Sequence, residues 1–541
     1  MKNFSGLSIL LALFAIMIIA IFFRFYRLDS IPPGLYPDIA VNGNNAVRSL
    51  QTGTFLPFYT DNNGREGMII WLDALSMAIF GVTPAALKIP GAIFGALTVF
   101  GIFLLARELF GKAISGKLRN NAIGLLSAFL LAVSFWHVNF SRTGFRVALE
   151  PSFLVFAFYF LVKALRNQKL FWGIASGIFF GLGFYTYTGY RLAVPLLFCA
   201  LALWAIDFRK NKWQLLKLSA GLLFAAFITA LPIGIYFLNN SGDFLGRAGQ
   251  TSVFSSANPA LELGKSLALH LGMFNIYGDA NWRHNLPGAP ELFFPVGIMF
   301  LSGLIVAVKR IVSSIKIRDF GLEFQSYSLL LLWLLFMLLP GVLTYEGIPH
   351  ALRTFGVIPA AMIFAAVGGI GIYDWLAMRL PKTAVAGLSA ILLFLIIVQG
   401  YWQYFDAWAK SSEIGGAFTE QFVEIGNLSS QLQRTGWKTV IIVNENGTPV
   451  PYPDGIPMPA QTVEFIETSD CYSSKNGFSP KNCGPYSAYL KPDKIGEIII
   501  DQKTAVIPMK NDPAIFDQLA KLFPLIQIKQ ANNIKYYEIN Q

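Results

Sequence analysis

GLSILLALFAIMIIAIFF, residues 6–23, contains no charged side chain. A bilayer offers the backbone no hydrogen-bond partners, so a spanning helix needs roughly 20 mostly apolar residues. The run reads as a membrane span. It lacks a small-residue cleavage site, so it reads as an anchor and not as a removed signal peptide. The rest of the chain repeats the pattern. Its 541 residues are 54% hydrophobic and 13% charged, with mean hydropathy +0.53. An ordinary soluble domain carries about 25% charged residues. Further apolar runs follow at 88–106, 121–136, 149–165, 170–184, 192–206, 218–238, 291–308, 325–343, 354–373 and 383–400. The expected fold is a mainly α polytopic membrane protein of about 11 transmembrane helices.

The formal net charge is +11, but its distribution excludes a nucleic-acid binder. There is no basic tail of the kind that grips a phosphate backbone. The cations fall in short connections instead: Arg107, Lys112, Lys117 and Arg119, then Lys163, Arg166 and Lys169. Arg209, Lys210, Lys212 and Lys217 follow, then Lys309, Arg310, Lys316 and Arg318, and last Arg379 and Lys382. All share one side if the runs are spans, and cationic loops mark the cytoplasm. The expected location is the plasma or inner membrane, with the N-terminus inside and the C-terminal region outside. Expected domains are 1–400, a membrane domain with a long first outer loop at 24–88, and 401–541, a soluble extracytoplasmic α/β domain. In the latter, 438–446, 497–507 and 534–539 read as strands and 513–523 as a helix. Cys471 and Cys483 would be free to pair outside the cytoplasm.

The first outer loop opens with PPGLYPDIAVNG (32–43). Its prolines and glycines favour turns, and they surround a single carboxylate, Asp38. Asp38 reads either as a turn residue bonded to nearby backbone or as a general base at the membrane surface. The same loop holds DNNGREGMIIW (61–71), with Asp61, Arg65 and Glu66 ahead of GMIIWLDALSMAIFG (67–81). That last stretch is short for a span and reads as an interfacial helix. Acids in a first helical turn serve the helix dipole. The other reading has Glu66 holding sugar hydroxyls or a metal and Arg65 meeting phosphate.

Further outer segments carry cations that the charge rule does not place there. They are Arg142 and Arg146 in WHVNFSRTGFRVALEP (136–151), Arg191 in YTYTGYR (185–191), which also holds Tyr187, and Arg353 in YEGIPHALR (345–353). Such residues snorkel to lipid headgroups or, as a set, cradle an anion. GDANWRHNLPGAPELF (278–293) adds Trp282, Arg283 and His284, a mixture that suits carbohydrate or a membrane interface. The four histidines, His137, His270, His284 and His350, match no zinc spacing. A Mg²⁺ or Mn²⁺ site on one or two carboxylates and a substrate phosphate stays open. No Walker A loop or dinucleotide fingerprint is present, so ATP-driven pumping has no sequence support.

These pieces, in this order, resemble the GT-C class of membrane glycosyltransferases. The likeness is to the bacterial branch related to protein mannosyltransferases and the aminoarabinose transferase of lipid A. It is carried by PPGLYPDIAVNG, GREGMIIWLDALSMAIFGVTPAALKIPGAIFG (64–95), SFWHVNFSRTGFR (134–146), YTYTGYRLAVP (185–195), GDANWRHNLPG (278–288) and EGIPHALRTFGVIPA (346–360). The resemblance implies an inverting enzyme that moves a sugar from a polyprenyl-phosphate carrier to an acceptor at the outer face. The acceptor would be a protein hydroxyl, a lipid or a cell-envelope glycan. It implies a catalytic role for Asp38 and a frequent acidic position at Glu66. Ile39 departs from the family's adjacent acidic pair. Arg65, Arg142, Arg146, Tyr187, Arg191, Trp282, Arg283, His284, His350 and Arg353 are, with Glu66, the expected substrate contacts. Two other readings share these features: a lipid-linked-sugar flippase, and a non-catalytic glycan-binding relative. The C-terminal domain is expected to recognise the acceptor.

Overall fold

The computed structural model describes residues 6–206, 211–447, 455–474 and 487–539. Arg209, Lys210 and Cys483 lie outside the described residues. Helix α1 (Gly6–Phe25) is followed by α2 (Pro37–Thr52), strands β1 (Phe58–Tyr59) and β2 (Arg65–Glu66), and α3 (Met68–Phe80). A run of helices comes next: α4 (Pro84–Leu109), α5 (Lys112–Val133), α6 (Phe135–Thr143), α7 (Glu150–Asn167), α8 (Leu170–Gly183) and α9 (Ala193–Ala205). It continues with α10 (Lys212–Asn239), α11 (Ser241–Gln250), α12 (Pro259–Gly272), α13 (Phe294–Ile317), α14 (Leu322–Val342), α15 (Ile358–Ala377) and α16 (Lys382–Tyr401).

By contacts the chain forms two compact units. The first comprises 1–26 and 91–411, and the second 27–90 with 412–541. The long first loop thus folds with the C-terminal segment, a grouping that the sequence division at 400 does not contain.

In the first unit, helices long and apolar enough to span a bilayer dominate. Among the described residues the chain holds nine of them, or ten if the bent pair 119–133 and 135–143 is one span. The expectation from the apolar runs is about 11. The run at 170–184 becomes α8, a helix of 14 residues. At 1.5 Å per residue it reaches about 21 Å, short of a hydrocarbon core of about 30 Å. Ser134, with extended backbone (φ −63°, ψ 122°), ends α5, and α6 leaves at 57°. Every residue of α6 is buried, the polar His137, Asn139 and Arg142 included. Helices α13 and α15 touch backbone to backbone. A Cβ at Gly303 would fall 1.9 Å from the Phe364 carbonyl oxygen, and one at Gly368 equally close to that of Met299. Small residues at such crossings replace the hydrophobic drive that lipid removes. The outer helix faces are apolar for the same reason, as with Leu7, Leu11 and Phe14 on α1.

The second unit is α/β. After α17 (Glu413–Ala417) and α18 (Glu420–Arg434) come β3 (Lys438–Ile442), α19 (Gln461–Ser474), β4 (Ala488–Leu490), β5 (Thr504–Pro508), α20 (Pro513–Leu522), β6 (Gln527–Ala531) and β7 (Ile534–Ile539). The sheet order is β4-β3-β5-β7-β6, with β3 parallel to β4 and β5, and β7 antiparallel to β5 and β6. Alternation along β3 sends Ile441 to one core, with Ile425, Leu432 and Val463, and Val440 and Ile442 to the other, with Ile515 and Leu519. The expected strand at 497–507 is confined to Thr504–Pro508, because the polar turn Asp501–Lys503 interrupts the isoleucine run. Glu467 of α19 is buried and accepts bonds from Ser429 Oγ (2.5 Å), Gln433 Nε2 (3.2 Å) and Tyr489 Oη (2.8 Å), and also from Ser487. Cys471 is disulfide-bonded, and Cys199 is a free thiol.

Candidate active site

Asp38 stands in the first turn of α2, not in a loop. Pro37 starts the helix, where its missing N–H costs nothing, and a first-turn carboxylate meets the positive end of the helix dipole. The side chain is partly exposed, and its Oδ1 accepts a 2.8 Å bond from Asn62 Nδ2. Asn62 is aimed by a tight loop in which Asn62, Asn63 and Gly64 all have positive φ, 50°, 62° and 86°. Asparagine and glycine tolerate that region best. Strands β1 and β2 close the loop by pairing Phe58 with Glu66 and Tyr59 with Arg65.

Arg65 is buried in this loop. Its Nη1 bonds Asn42 Oδ1 (2.5 Å), and its Nη2 pairs with Asp61 Oδ2 (3.3 Å), which also accepts from Asn45 Nδ2 (2.8 Å). Asn42 and Asn45 lie on one face of α2, so Arg65 works as a brace between helix and loop. Glu66 is 1% exposed. Ile39 is also buried, at 2%, so the position beside Asp38 belongs to the core of this unit. That is why no second carboxylate stands there: a charge would be taken out of water without gain.

The first unit holds the remaining expected residues. Arg142 is fully buried and donates to the carbonyls of Phe23 (2.9 Å) and Tyr26 (2.8 Å), with Tyr404 and Phe405 under its guanidinium. It ties α6 to α1. Arg146 lies over the Tyr187 ring at 5.6 Å, so two expected contacts from distant segments meet. Arg191 donates to the Phe244 carbonyl and packs on that ring at 4.3 Å. Arg353 donates to the Glu346 carbonyl (3.3 Å) within its own loop.

The connection 273–293 and the loop 343–357 are joined through Asp279. Its Oδ2 accepts from His284 Nδ1 (2.9 Å) and from the Ala351 N–H (2.8 Å), and lies 3.9 Å from His350 Nδ1. Its Oδ1 accepts from the Asn281 N–H (2.8 Å), a local Asx turn. The His284 and His350 rings face each other at 4.8 Å. Asp279, His284 and His350 each place one ligand atom within 4.8 Å of the others, a group that could hold a metal ion. Two of the four histidines therefore converge, and the third ligand, Asp279, is one that the sequence pattern does not single out. His270 serves this site from behind, its Nε2 accepting from the His350 N–H (3.1 Å). Burial holds the His270 imidazole below its usual range. From α6, Asn139 Nδ2 donates to the carbonyls of Arg283 (2.9 Å) and His284 (3.0 Å), and Trp136 to that of Ala351 (3.1 Å). The Trp282 carbonyl accepts from Trp408 (2.8 Å). Glu291 accepts from the Asp279 N–H (3.1 Å), and burial pushes its carboxyl well above the usual range.

The comparison with known structures follows from this arrangement. ArnT of Cupriavidus metallidurans, crystallised with undecaprenyl phosphate, superposes over 99% of both chains with TM-score 0.56 at 12% identity. The fold is GT-C. The apo oligosaccharyltransferase of Archaeoglobus fulgidus shares it over 86% of this chain and 64% of its own, with TM-score 0.51 and 15% identity. Residues 67–236 match the family model described as dolichyl-phosphate-mannose-protein mannosyltransferase. A Bacillus subtilis (strain 168) protein named "Putative mannosyltransferase YkcB" is 30% identical over 115 residues, 21% of this chain and 15% of that relative. The family match within this GT-C fold includes Arg142, Arg146, Tyr187 and Arg191 and begins one residue after Glu66. Asp38, Arg65, Glu66 and the Asp279 group lie outside it, so their roles rest on geometry.

Proposed function

We propose that this GT-C protein is an inverting glycosyltransferase of a plasma or inner membrane, acting at the outer face with its C-terminal region outside. It takes a sugar from a polyprenyl-phosphate carrier and passes it to a hydroxyl acceptor. The observation that carries this reading is Asp38: a partly exposed carboxylate fixed at a helix start, with one oxygen held by Asn62. Undecaprenyl phosphate bound to ArnT, which shares the fold, supports the donor class.

In the proposed step the acceptor oxygen attacks the anomeric carbon. The bond from that carbon to the phosphate oxygen breaks, and its electron pair leaves with the polyprenyl phosphate. Asp38 takes the hydroxyl proton. A single displacement inverts the anomeric centre. The leaving phosphate is already acidic, so it needs charge stabilisation more than protonation.

Asp279, His284 and His350 fit a metal of the two-imidazole, one-carboxylate type, which leaves a coordination position open. Imidazole donors suit zinc, whereas magnesium prefers oxygen ligands. Asp279, His284 and His350 would hold such an ion, which would supply Lewis-acid stabilisation of developing charge.

Purified Asp38→Asn, given a labelled polyprenyl-phosphate sugar, is expected to lose about 10²–10⁴-fold in turnover, the range of a lost general base. Near-parental transfer by the folded variant would remove the role. Elemental analysis is expected to find about one zinc per chain, lost in Asp279→Ala; equal metal in both proteins refutes the site.

A further inference from the structure

The helix that carries Asp38 is gripped by side chains some 384 to 427 positions away in sequence. The Leu35 carbonyl, just ahead of α2, accepts two hydroxyls at once: Thr419 Oγ1 at 3.0 Å and Thr462 Oγ1 at 2.8 Å. Further along α2, Asn44 Nδ2 lies 3.0 Å from the Gln461 carbonyl, 2.9 Å from Gln461 Oε1 and 3.0 Å from Glu464 Oε2. Two glycines permit the approach. At Gly34 (φ +71°) a Cβ would fall 2.4 Å from the Phe418 carbonyl oxygen, and at Gly43 one would fall 2.5 Å from the Phe465 ring. These contacts flank Asp38 on both sides in sequence, and among the described residues none of them uses its carboxylate.

We infer that the start of α19, with Thr419, is a positioning element for Asp38. This rests on the reading of Asp38 as the base. The opposite face of α2 is already fixed by Asn42 and Asn45 against the β1–β2 loop. The α2 helix is therefore clamped from two directions. The paired hydroxyls on Leu35 set where its first turn begins. A base must meet its proton within hydrogen-bond reach, and a displacement of about 1 Å costs about 10²-fold in rate. Thr419, Thr462 and Asn44 are positioning residues. The C-terminal α/β region thereby acts on the chemical step itself, whatever acceptor it contacts.

The test uses the full chain and compares Thr462→Ser, which keeps the hydroxyl, with the isosteric Thr419→Val/Thr462→Val pair. Backbone hydrogen exchange, which needs no substrate, is read over 35–45. The valine pair is expected to exchange there about tenfold faster while 420–434 keeps its parental rate, and the serine variant to match the parent. With a synthetic undecaprenyl-phosphate mannose as probe, the valine pair is expected to lose about 100-fold in kcat with KM nearly unchanged. In an Asp38→Asn background the same pair should change turnover by less than about twofold, since neighbours that act through one group are not additive. Unchanged exchange over 35–45, or an equal fold loss in both backgrounds, overturns the inference. Full turnover by Asp38→Asn alone overturns the base assignment instead, and is read first on the single variant.

Discussion

Arg142 and Arg146 stand one helical turn apart in sequence and do different work. Both fall in a segment expected on the outer side, so the sequence offers them as equals. The structure gives Arg142 the carbonyls of Phe23 and Tyr26, and sets Arg146 over Tyr187. Arg142→Gln is expected to destabilise the protein by about 3 kcal/mol, because two buried charge-assisted bonds are lost. Arg146→Gln should cost about 1 kcal/mol or less in stability and raise the donor KM severalfold. Thermal unfolding and donor titration of the two variants separate the cases; matched losses of stability would refute the division. The sequence cannot make this distinction, since the carbonyls of 23 and 26 reach Arg142 only after α1 and α6 have packed. Asp279 was hidden for a similar reason. Its local Asx turn with Asn281 is legible in D-A-N, but its histidines lie 5 and 71 positions on, the second brought over by the fold.

Among the elements, period and polarity located most helices, and exceptions have identifiable causes. Helix α2 reads as turns because Pro32, Pro33, Gly34 and Pro37 precede it, yet Pro37 is a suitable first residue for a helix. Helix α18 is amphipathic but short of long aliphatic runs, so a hydropathy scan passes over it. Helix α19 escapes for another reason: its buried face includes Glu464, Glu467 and Thr468, which look like surface residues in a list. Glu467 makes α19 sensitive to pH. Burial raises its carboxyl above the usual range. The folded state then holds a proton that the unfolded chain has released. Its contribution to stability is full below the unfolded value of about 4.3 and is lost as pH rises through the folded one. The parent is expected to unfold at lower temperature at pH 8 than at pH 5, and Glu467→Gln to flatten that difference. An identical slope in parent and variant would refute it. At the α2–α19 crossing, Gly43→Ala is expected to cost about 1–3 kcal/mol by overpacking Phe465, and Phe465→Leu to recover part of it in thermal unfolding.

At the scale of the molecule, composition and the apolar runs sufficed for a polytopic membrane protein with a sheet-containing region toward the C-terminus. What composition could not give was the partnership of 27–90 with 412–541, because residues that meet across such distances leave no local pattern. A chain ending at Ser411 keeps all of the first unit and is expected to insert into membranes. Its turnover with any acceptor should fall below about 1% of the parent, since Asp38 loses its clamp. Retained transfer with altered acceptor preference would assign the C-terminal region to recognition only. The split unit also has a consequence for synthesis. Residues 27–90 leave the ribosome roughly 320 residues before residue 412 does. At about 5–20 residues per second, that is on the order of 15–65 s during which the Asp38 segment has no finished partner. Nascent and prematurely terminated chains therefore carry the Asp38 helix without the Thr419 and Thr462 hydroxyls that hold its start.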